Sequence, residues 1–573
     1  MVYRFTRLLV VVCCLTCALQ AICQEVVVVP EKPPMAVDVM RQMQKDSFTT
    51  QKATFGRWGY IRGSYSTWVN HSNRLIPVYT FGIDLKSWRA SKSAYANPER
   101  LKELYGIVPN GTTNPDATYY DQTDLHQLQM AAIDAGYKKI IMMVFDGMDW
   151  QTARCASIYK NRRVLYNSGR GTGLAFQDYR GATTDFGLVC TSALWAGAKF
   201  DVNSQTVLDG NKESTGGYNP RLGGQLPWLE KDDHDYLIGL DRELPHTVTD
   251  SAASATSLFS GVKTYNGAIN VTSTGERLIP IARRLQQKRG FGVGIVTSVP
   301  VSHATLAAAY ANNVTRKDYQ DLSRDLLGLP SVSHRNKALP GVDVLIGCGW
   351  GESETAEQTQ GDNFVPGNAY VHEDDMKRIN KANGGRYTVA TRTANQPGRD
   401  VLVNAANEAT QDGSRLLGFF GVTGGHLPYQ TADGKFNPTI DAQGGETYTA
   451  AEIKENPTLA DMTEAALAVL KKRSDRFWLL VEAGDVDWAN HANNIDNSIG
   501  SVMSGEAAFQ TIVDWVEKED AWDETALIVT ADHGHFFVLE KPGAIAAAGE
   551  GIPIRMPQMK TQENQTPTKK AIK

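Results

Sequence analysis

The sequence predicts an α/β protein: a three-layer α/β/α sandwich on a mostly parallel central sheet, with an N-terminal extension and a cap insertion. Three observations carry that expectation. Apolar runs such as "IIMMVF", "FWLLVEA" and "ALIVTAD" are continuous rather than alternating, as strands buried on both faces require. Helix-like segments of ten or more residues separate them, the pattern of doubly wound sheets. Three of the runs lead into carboxylates, at Asp146, Glu482 and Asp532. Ligands of such sheets bind beyond the carboxyl ends of the strands, which puts all three on one rim.

The elements follow in chain order. "KKIIMMVFD" (Lys138 to Asp146) reads as the first strand of the regular alternation. "SAASATSLFSGV", after Asp250, reads as a helix of small residues with Gly261 near its end. "RLIPIARRLQQKRG" reads as an amphipathic helix and "GVGIVTSV" as the strand after it. "TLADMTEAALAVLKKR" is a further helix before "FWLLVEA", and a helix around "GEAAFQTIVDWVEK" precedes "ALIVTAD". Residues 36–130 have no clear period and read as an extension packed on the main body. Residues 351–405, polar and Gly-rich, read as a cap insertion near the rim. The division is therefore 1–23 leader, 24–135 extension, 136–550 core and 551–573 polar tail.

Bulk properties narrow the class. At 573 residues the chain can bury a large core, and a net charge of −5 gives no reason to expect nucleic acid or an anionic membrane as partner. The first 23 residues combine "MVYRFTR", the apolar run "LLVVVCCLTCALQ" and Ala21-Ile22-Cys23, the pattern of a secretory signal peptide. Export to a periplasmic or extracellular space is the expectation. A lipid anchor on Cys23 is the weaker reading, because Ile22 stands where a small residue belongs. No later run is long enough for a membrane span. Past the leader only Cys155, Cys190 and Cys348 remain, so a disulfide framework is excluded. Five sequons, at Asn70, Asn110, Asn270, Asn313 and Asn564, carry meaning only in a eukaryotic secretory pathway. A homodimer is a further expectation, with the extension or the insertion as candidate contact.

Asp146, Glu482, Asp487, His491, Asp532 and His533 are candidate metal ligands. Asp487 and His491 lie four apart and share a face of a helical turn. Any one of these residues alone is more often a helix cap or a structural histidine. Together on one rim, carboxylates repel unless cations lie between them. Mixed nitrogen and oxygen donors suit zinc, and an oxygen-rich pocket beside them suits magnesium. Ser251 follows Asp250 at a helix start, where free N–H groups favour a phosphate. It reads either as a nucleophile or as a cap; the sequence has no G-x-S-x-G elbow.

"VTDSAASATSLFSGVKTYNGAI", "VEAGDVDWANHANN" and "VTADHGH" together resemble the alkaline phosphatase family, and the likeness runs in order from about Lys138 to Phe537. The resemblance implies hydrolysis of phosphate monoesters through a covalent phosphoserine at a site with two zinc ions and one magnesium. It implies Ser251 as nucleophile, Arg316 as the group gripping phosphate and Asp250 as the residue orienting it. Asp487 and His491 would serve the first zinc, and Asp532 and His533 the second. Asp146 would bridge the second zinc and the magnesium, which Glu482 and Thr305 would also hold. His303 and Trp488 stand where some members carry Asp and Lys, so the chain resembles the branch with His and Trp, His303 acting from the outer shell of the magnesium. One departure is serious. The family completes its first zinc site with a histidine well beyond "DHGH", and His535 is the last histidine here. Either the chain is truncated or mis-terminated, or another group such as His535 or His426 replaces it, with His535 better read as a support for a ligand, or the chain is an impaired phosphate-binding relative. A sulfatase would need a C/S-x-P-x-R setting, which "DSAASAT" lacks.

Overall fold

Ten strands hydrogen-bond into one sheet. The computed structural model describes residues 38–59, 61–65, 71–85, 93–229, 233–239, 246–354, 359–437 and 445–550. All of them belong to one compact unit, Asp38–Lys573. The leader, the polar tail and the sequons at Asn70 and Asn564 lie outside the described residues.

Across the sheet the strands run Tyr387–Thr391, Arg415–Phe419, Val344–Cys348, Gly292–Pro300, Phe477–Ala483, Lys139–Phe145, Thr525–Thr530, Ile76–Phe81, Thr184–Cys190 and Tyr120–Asp121. The first seven are mutually parallel. Ile76–Phe81 runs antiparallel to both its neighbours. Helices cover both faces, and one strand demonstrates it. Consecutive side chains of a strand point to opposite faces. Phe477 packs on Trp515 of the helix Ile495–Lys518, whereas Trp478 packs on Phe259 of Ser251–Ser260 and donates to Gln129 of Gln122–Asp134. The expected sandwich is present.

Several boundaries differ from the sequence reading, each for a physical reason. The helix expected from Arg277 starts at Ile281, because Pro280 has no N–H to give a preceding turn and becomes its N-cap. The helix expected around Gly505 starts at Ile495, where Asn494 accepts from the Asn497 N–H. The segment 36–130 is not merely laid on the body: it supplies the strands Ile76–Phe81 and Tyr120–Asp121 to the central sheet. Pro77 hides the first of these from a sequence reader, since proline is rare in interior strands. The segment 351–405 likewise contains the edge strand Tyr387–Thr391 and the start of the helix Gly398–Asp412, both parts of the sandwich. Asn270 and Asn313 are buried, so neither sequon is open to glycosylation.

Candidate metal and phosphate site

The three acidic strand ends meet because their strands are neighbours. Phe477–Ala483 and Thr525–Thr530 flank Lys139–Phe145 in parallel register, with Glu482 opposite Val144 and Thr530 opposite Val144 from the other side. Asp146 and Asp532 therefore leave the sheet side by side. Gly147, at φ +69°, turns the chain away at once; a Cβ there would lie 2.9 Å from an Asp487 carboxylate oxygen. Only glycine gives this turn and this approach together.

Asp146, Asp532 and His533 form one cluster of converging ligand atoms, all buried. His533 Nε2 stands 3.5 Å from Asp146 Oδ1 and 3.4 Å from Asp532 Oδ2. The two oxygens have no hydrogen-bond partner although both are buried. Such orphans are rare in folded proteins and costly unless something charged fills the gap. Asp532 Oδ1 is fixed by the N–H groups of Gly147 and His533, at 3.0 and 2.8 Å. Burial raises the Asp146 carboxyl well above its ordinary range, and Asp532, Asp487 and Glu482 push the same way. A cation between them would remove that penalty. The donor set suits zinc.

A second cluster joins His71, Asp487, His491 and His535. Asp487 and His491 lie on the short helix Asp485–His491, as their spacing predicts. His71 was not foreseen. It belongs to the strand His71–Ser72, which pairs antiparallel with Gly534–His535 directly after the "ADH" motif. Its ring stacks on His533 at 3.8 Å, and its Nε2 is 3.1 Å from His491 Nε2. His71 Nδ1 lies 2.6 Å from the Thr249 carbonyl, which can only accept, so the proton sits on Nδ1 and Nε2 presents a lone pair. Burial, then the neighbouring His533, His535 and His491, holds its pKa well below the usual value. His491 is lowered to about 4, chiefly by burial. Burial raises Asp487, but the imidazoles of His491, His535 and His533 outweigh it and hold the carboxyl well below its range. His71 and His491 are thus held as neutral imidazoles beside an ionised Asp487, the state metal ligation requires.

His535 acts on this cluster from one side. Its Nε2 donates to Asp487 Oδ1 at 2.8 Å, the geometry of a support for a ligand. His426, the other candidate replacement, takes no part: it stacks on Tyr429 at 4.0 Å and pairs with Glu446 at 3.1 Å. The expectation for His426 is therefore withdrawn.

Glu482 accepts from Thr297 at 2.5 Å, a contact the sequence did not suggest, and its carboxyl is raised to about 8 by burial. Thr305, at the start of the helix Ala304–Tyr310, is 3.5 Å from Asp146 Oδ2. Asp146 thus offers one oxygen toward His533 and the other toward Thr305. His303 caps the same helix, edge-on to Trp488 at 5.4 Å, with its pKa lowered to about 3, first by burial and then by Arg316.

Ser251 opens the helix Ser251–Ser260 and is 2% exposed, its Oγ 3.2 Å from His533 Nε2. Asp250 performs two tasks. One oxygen accepts from the Ala253 N–H and caps the helix; the other takes Arg316 Nη1 at 3.1 Å. Arg316 is anchored by its own N–H on the Gly267 carbonyl. Its guanidinium lines a cavity of about 410 Å³ with His303, Tyr429, Trp488 and His491. A guanidinium beside a buried hydroxyl and two ligand clusters is suited to receive a phosphoryl group.

Two clusters of converging ligand atoms at the carboxyl ends of a parallel sheet, with a serine and an arginine beside them, are an arrangement suited to metal-dependent phosphoryl chemistry. The chain belongs to the alkaline phosphatase family, whose profile, described as "Alkaline phosphatase", matches residues 224–569. It is 30% identical to alkaline phosphatase H of Pseudomonas aeruginosa over 344 residues, 58% of this chain and 66% of that protein. It is 29% identical to the alkaline phosphatase of Escherichia coli over 333 residues, covering 56% and 65%. To alkaline phosphatase 3 of Bacillus subtilis it is 28% identical over 302 residues, 52% of each. The chain thus spans about half the length of the first such relatives. A cold-active alkaline phosphatase from Shewanella superposes at a TM-score of 0.39, with 22% identity, 69% of this chain and 68% of that one.

Proposed function

We propose that the chain hydrolyses phosphate monoesters, with Ser251 as nucleophile and a covalent phosphoserine as intermediate. The observation that carries this reading is the placement of the buried Ser251 Oγ, 3.2 Å from His533 Nε2 and beside the Asp146–Asp532–His533 cluster. Asp146, Asp532 and His533 would hold one zinc, and His71, Asp487 and His491 the other. Glu482, Thr305 and Asp146 would hold magnesium, with His303 in its outer shell, as in the branch of the family carrying His and Trp at the places of His303 and Trp488. The bound ions supply positive charge next to the phosphoryl oxygens and favour ionisation of a nearby hydroxyl. Arg316 grips two phosphoryl oxygens, and Asp250 fixes the guanidinium so that no entropy is lost in aligning it during reaction. The helix start at Ser251 offers N–H groups to the same anion. Recognition confined to the phosphoryl group gives broad specificity for the leaving alcohol.

The rival reading, a phosphate binder unable to turn over, rested on the lack of a histidine after "DHGH". His71 supports turnover instead, because it adds a further imidazole to the Asp487–His491 cluster. Export is proposed from the leader; among the described residues no helix is long and apolar enough to cross a membrane.

The test is hydrolysis of a chromogenic phosphate monoester at alkaline pH with zinc and magnesium, beside a chelated sample and Ser251→Ala. Turnover should need metal and fall by a factor of about 10³ or more in Ser251→Ala, in keeping with the loss of a nucleophile. Quenched wild-type chain should carry phosphate on Ser251. Full turnover by Ser251→Ala, or none from a folded, metal-loaded wild type, refutes the reading.

A further inference from the structure

Away from the catalytic rim, a cavity of about 980 Å³ opens between the helix Ile281–Arg289 and the loop 331–340. Five cationic side chains line it: Arg277, Arg283, Arg335, Lys337 and Arg386. None of the five forms an ion pair with a carboxylate among the described residues. Asp325, whose charge acts on Arg283, is already engaged by His334 at 2.9 Å and by the Ser331 hydroxyl at 2.6 Å. Five cations facing one shared carboxylate leave the cavity wall with an excess of positive charge, which favours an anion.

A second, independent feature lies in its wall. Arg283 is 4% exposed, which is unusual for an arginine without an acidic partner. Its Nη2 donates to the Leu278 carbonyl at 2.8 Å, while its Nη1 is buried with no acceptor. Asn312, beside it, spends its amide N–H groups on the carbonyls of Asn270 and Leu278, at 2.6 and 2.9 Å. Its Oδ1 is left buried and without a donor. Orphaned polar atoms in a cavity wall mark where a ligand's complementary atoms would sit. One orphan is a cationic donor and the other an acceptor, matching an anionic group and a hydroxyl respectively.

We propose that this cavity is a second ligand site, separate from the catalytic one, for a polyol bearing several phosphate-like groups. The rim cations Arg277, Arg335, Lys337 and Arg386 would meet the outer anionic groups. Arg283 Nη1 would bind the innermost one, and Asn312 Oδ1 would accept from a hydroxyl. The volume admits a molecule the size of a substituted cyclitol or disaccharide.

The probe is myo-inositol hexasulfate, which has the charge pattern but no phosphoryl group for the catalytic site to process. Calorimetric titration of the full chain, loaded with metal, should give one equivalent per chain. Arg277→Gln/Arg335→Gln/Lys337→Gln, three exposed positions, should weaken binding at least tenfold, and Arg283→Gln should do the same if it folds. Arg316→Ala should leave the affinity unchanged, which separates this site from the catalytic reading. Lys472→Gln/Arg476→Gln/Lys518→Gln, elsewhere on the surface, should also leave it unchanged. The proposal fails if no binding is seen, if the Arg316 variant abolishes it, or if both triple variants weaken it equally.

Discussion

The Nε2 atoms of His71 and His491 face each other at 3.1 Å, although the two residues come from opposite ends of the chain. The His71 proton is committed to the Thr249 carbonyl, so the pair points a lone pair and a ring nitrogen at the same space as Asp487. Such an arrangement is favourable around a divalent ion and poor without one. Replacing His71 by Ala should therefore remove one equivalent of tightly bound zinc and lower phosphate-ester turnover on the order of 100-fold or more. Metal content of the desalted protein is the measurement, with His426→Ala as control. Equal zinc in wild type and His71→Ala would mean the first cluster closes without it.

His535 should behave differently from His71. On the proposed reading its bond to Asp487 would orient a ligand rather than supply one, and loss of such partners typically weakens metal binding by about 10–100-fold. His535→Ala should keep its zinc at saturating metal but release it at lower chelator concentration. Gln at this position can donate the same bond through its side-chain amide and should recover most of the retention. A chelator titration followed by residual activity distinguishes the three. Failure of Gln to improve on Ala would show that the imidazole itself is a ligand.

The legible parts of this protein were those whose signal is local. The strands Phe477–Ala483 and Lys139–Phe145 are uninterrupted apolar runs, and their terminal carboxylates announced the rim. Asp487 and His491 declared their shared face by spacing alone. His71 was not legible, because its role depends on a two-residue strand pairing with Gly534–His535 from the far end of the sequence. The strand beside it, Ile76–Phe81, is an apolar hexamer broken in appearance by Pro77, whose missing N–H is tolerated because it sits near the strand's end. Thr297 escaped notice for a related reason: a threonine in a buried strand reads as β-branched filler until Glu482 is found 2.5 Å away.

A pH effect on stability follows from Asp496. It lies in the first turn of the helix Ile495–Lys518, fully buried, with Oδ1 accepting from the Ala432 N–H at 2.9 Å and Oδ2 without a partner. Burial, then the carboxylates of Asp38 and Asp433, raises its pKa from the ordinary 3.8 to about 8, against the opposing pull of Arg41. The folded chain therefore holds a proton that the unfolded chain has released. The stabilising contribution is fully present below the unfolded value and is lost as pH rises through about 8. Asp496→Asn mimics the protonated form at every pH. Between pH 5 and 9 the wild type should lose more unfolding free energy than the variant, by a few kcal/mol at most, at about 1.4 kcal/mol per unit of separation. Denaturant melts at both pH values, with metal saturating, provide the comparison. Parallel pH dependence would mean Asp496 is ionised in the fold.

The same helix offers a test of packing against propensity. Alanine in place of a helical glycine ordinarily stabilises by about 0.5–1 kcal/mol, because glycine loses more backbone entropy on folding. At Gly500 a Cβ would lie 1.8 Å from the Gln430 carbonyl oxygen and 2.6 Å from the Thr431 carbonyl carbon. Those atoms are backbone, and their segment is tied down by the Ala432 N–H on Asp496, so it cannot retreat without breaking that bond. Overpacking of this kind costs about 1–3 kcal/mol, more than the propensity gain. Gly500→Ala should therefore lower the melting temperature. Gly543, in the helix Pro542–Ala548, has no atom within 4 Å of a built Cβ, and there the same substitution should be neutral or raise it. Thermal unfolding of the two variants side by side makes the sign of each the readout. A stabilised Gly500→Ala would mean that the segment around Gln430 yields more easily than its hydrogen bond to Asp496 implies.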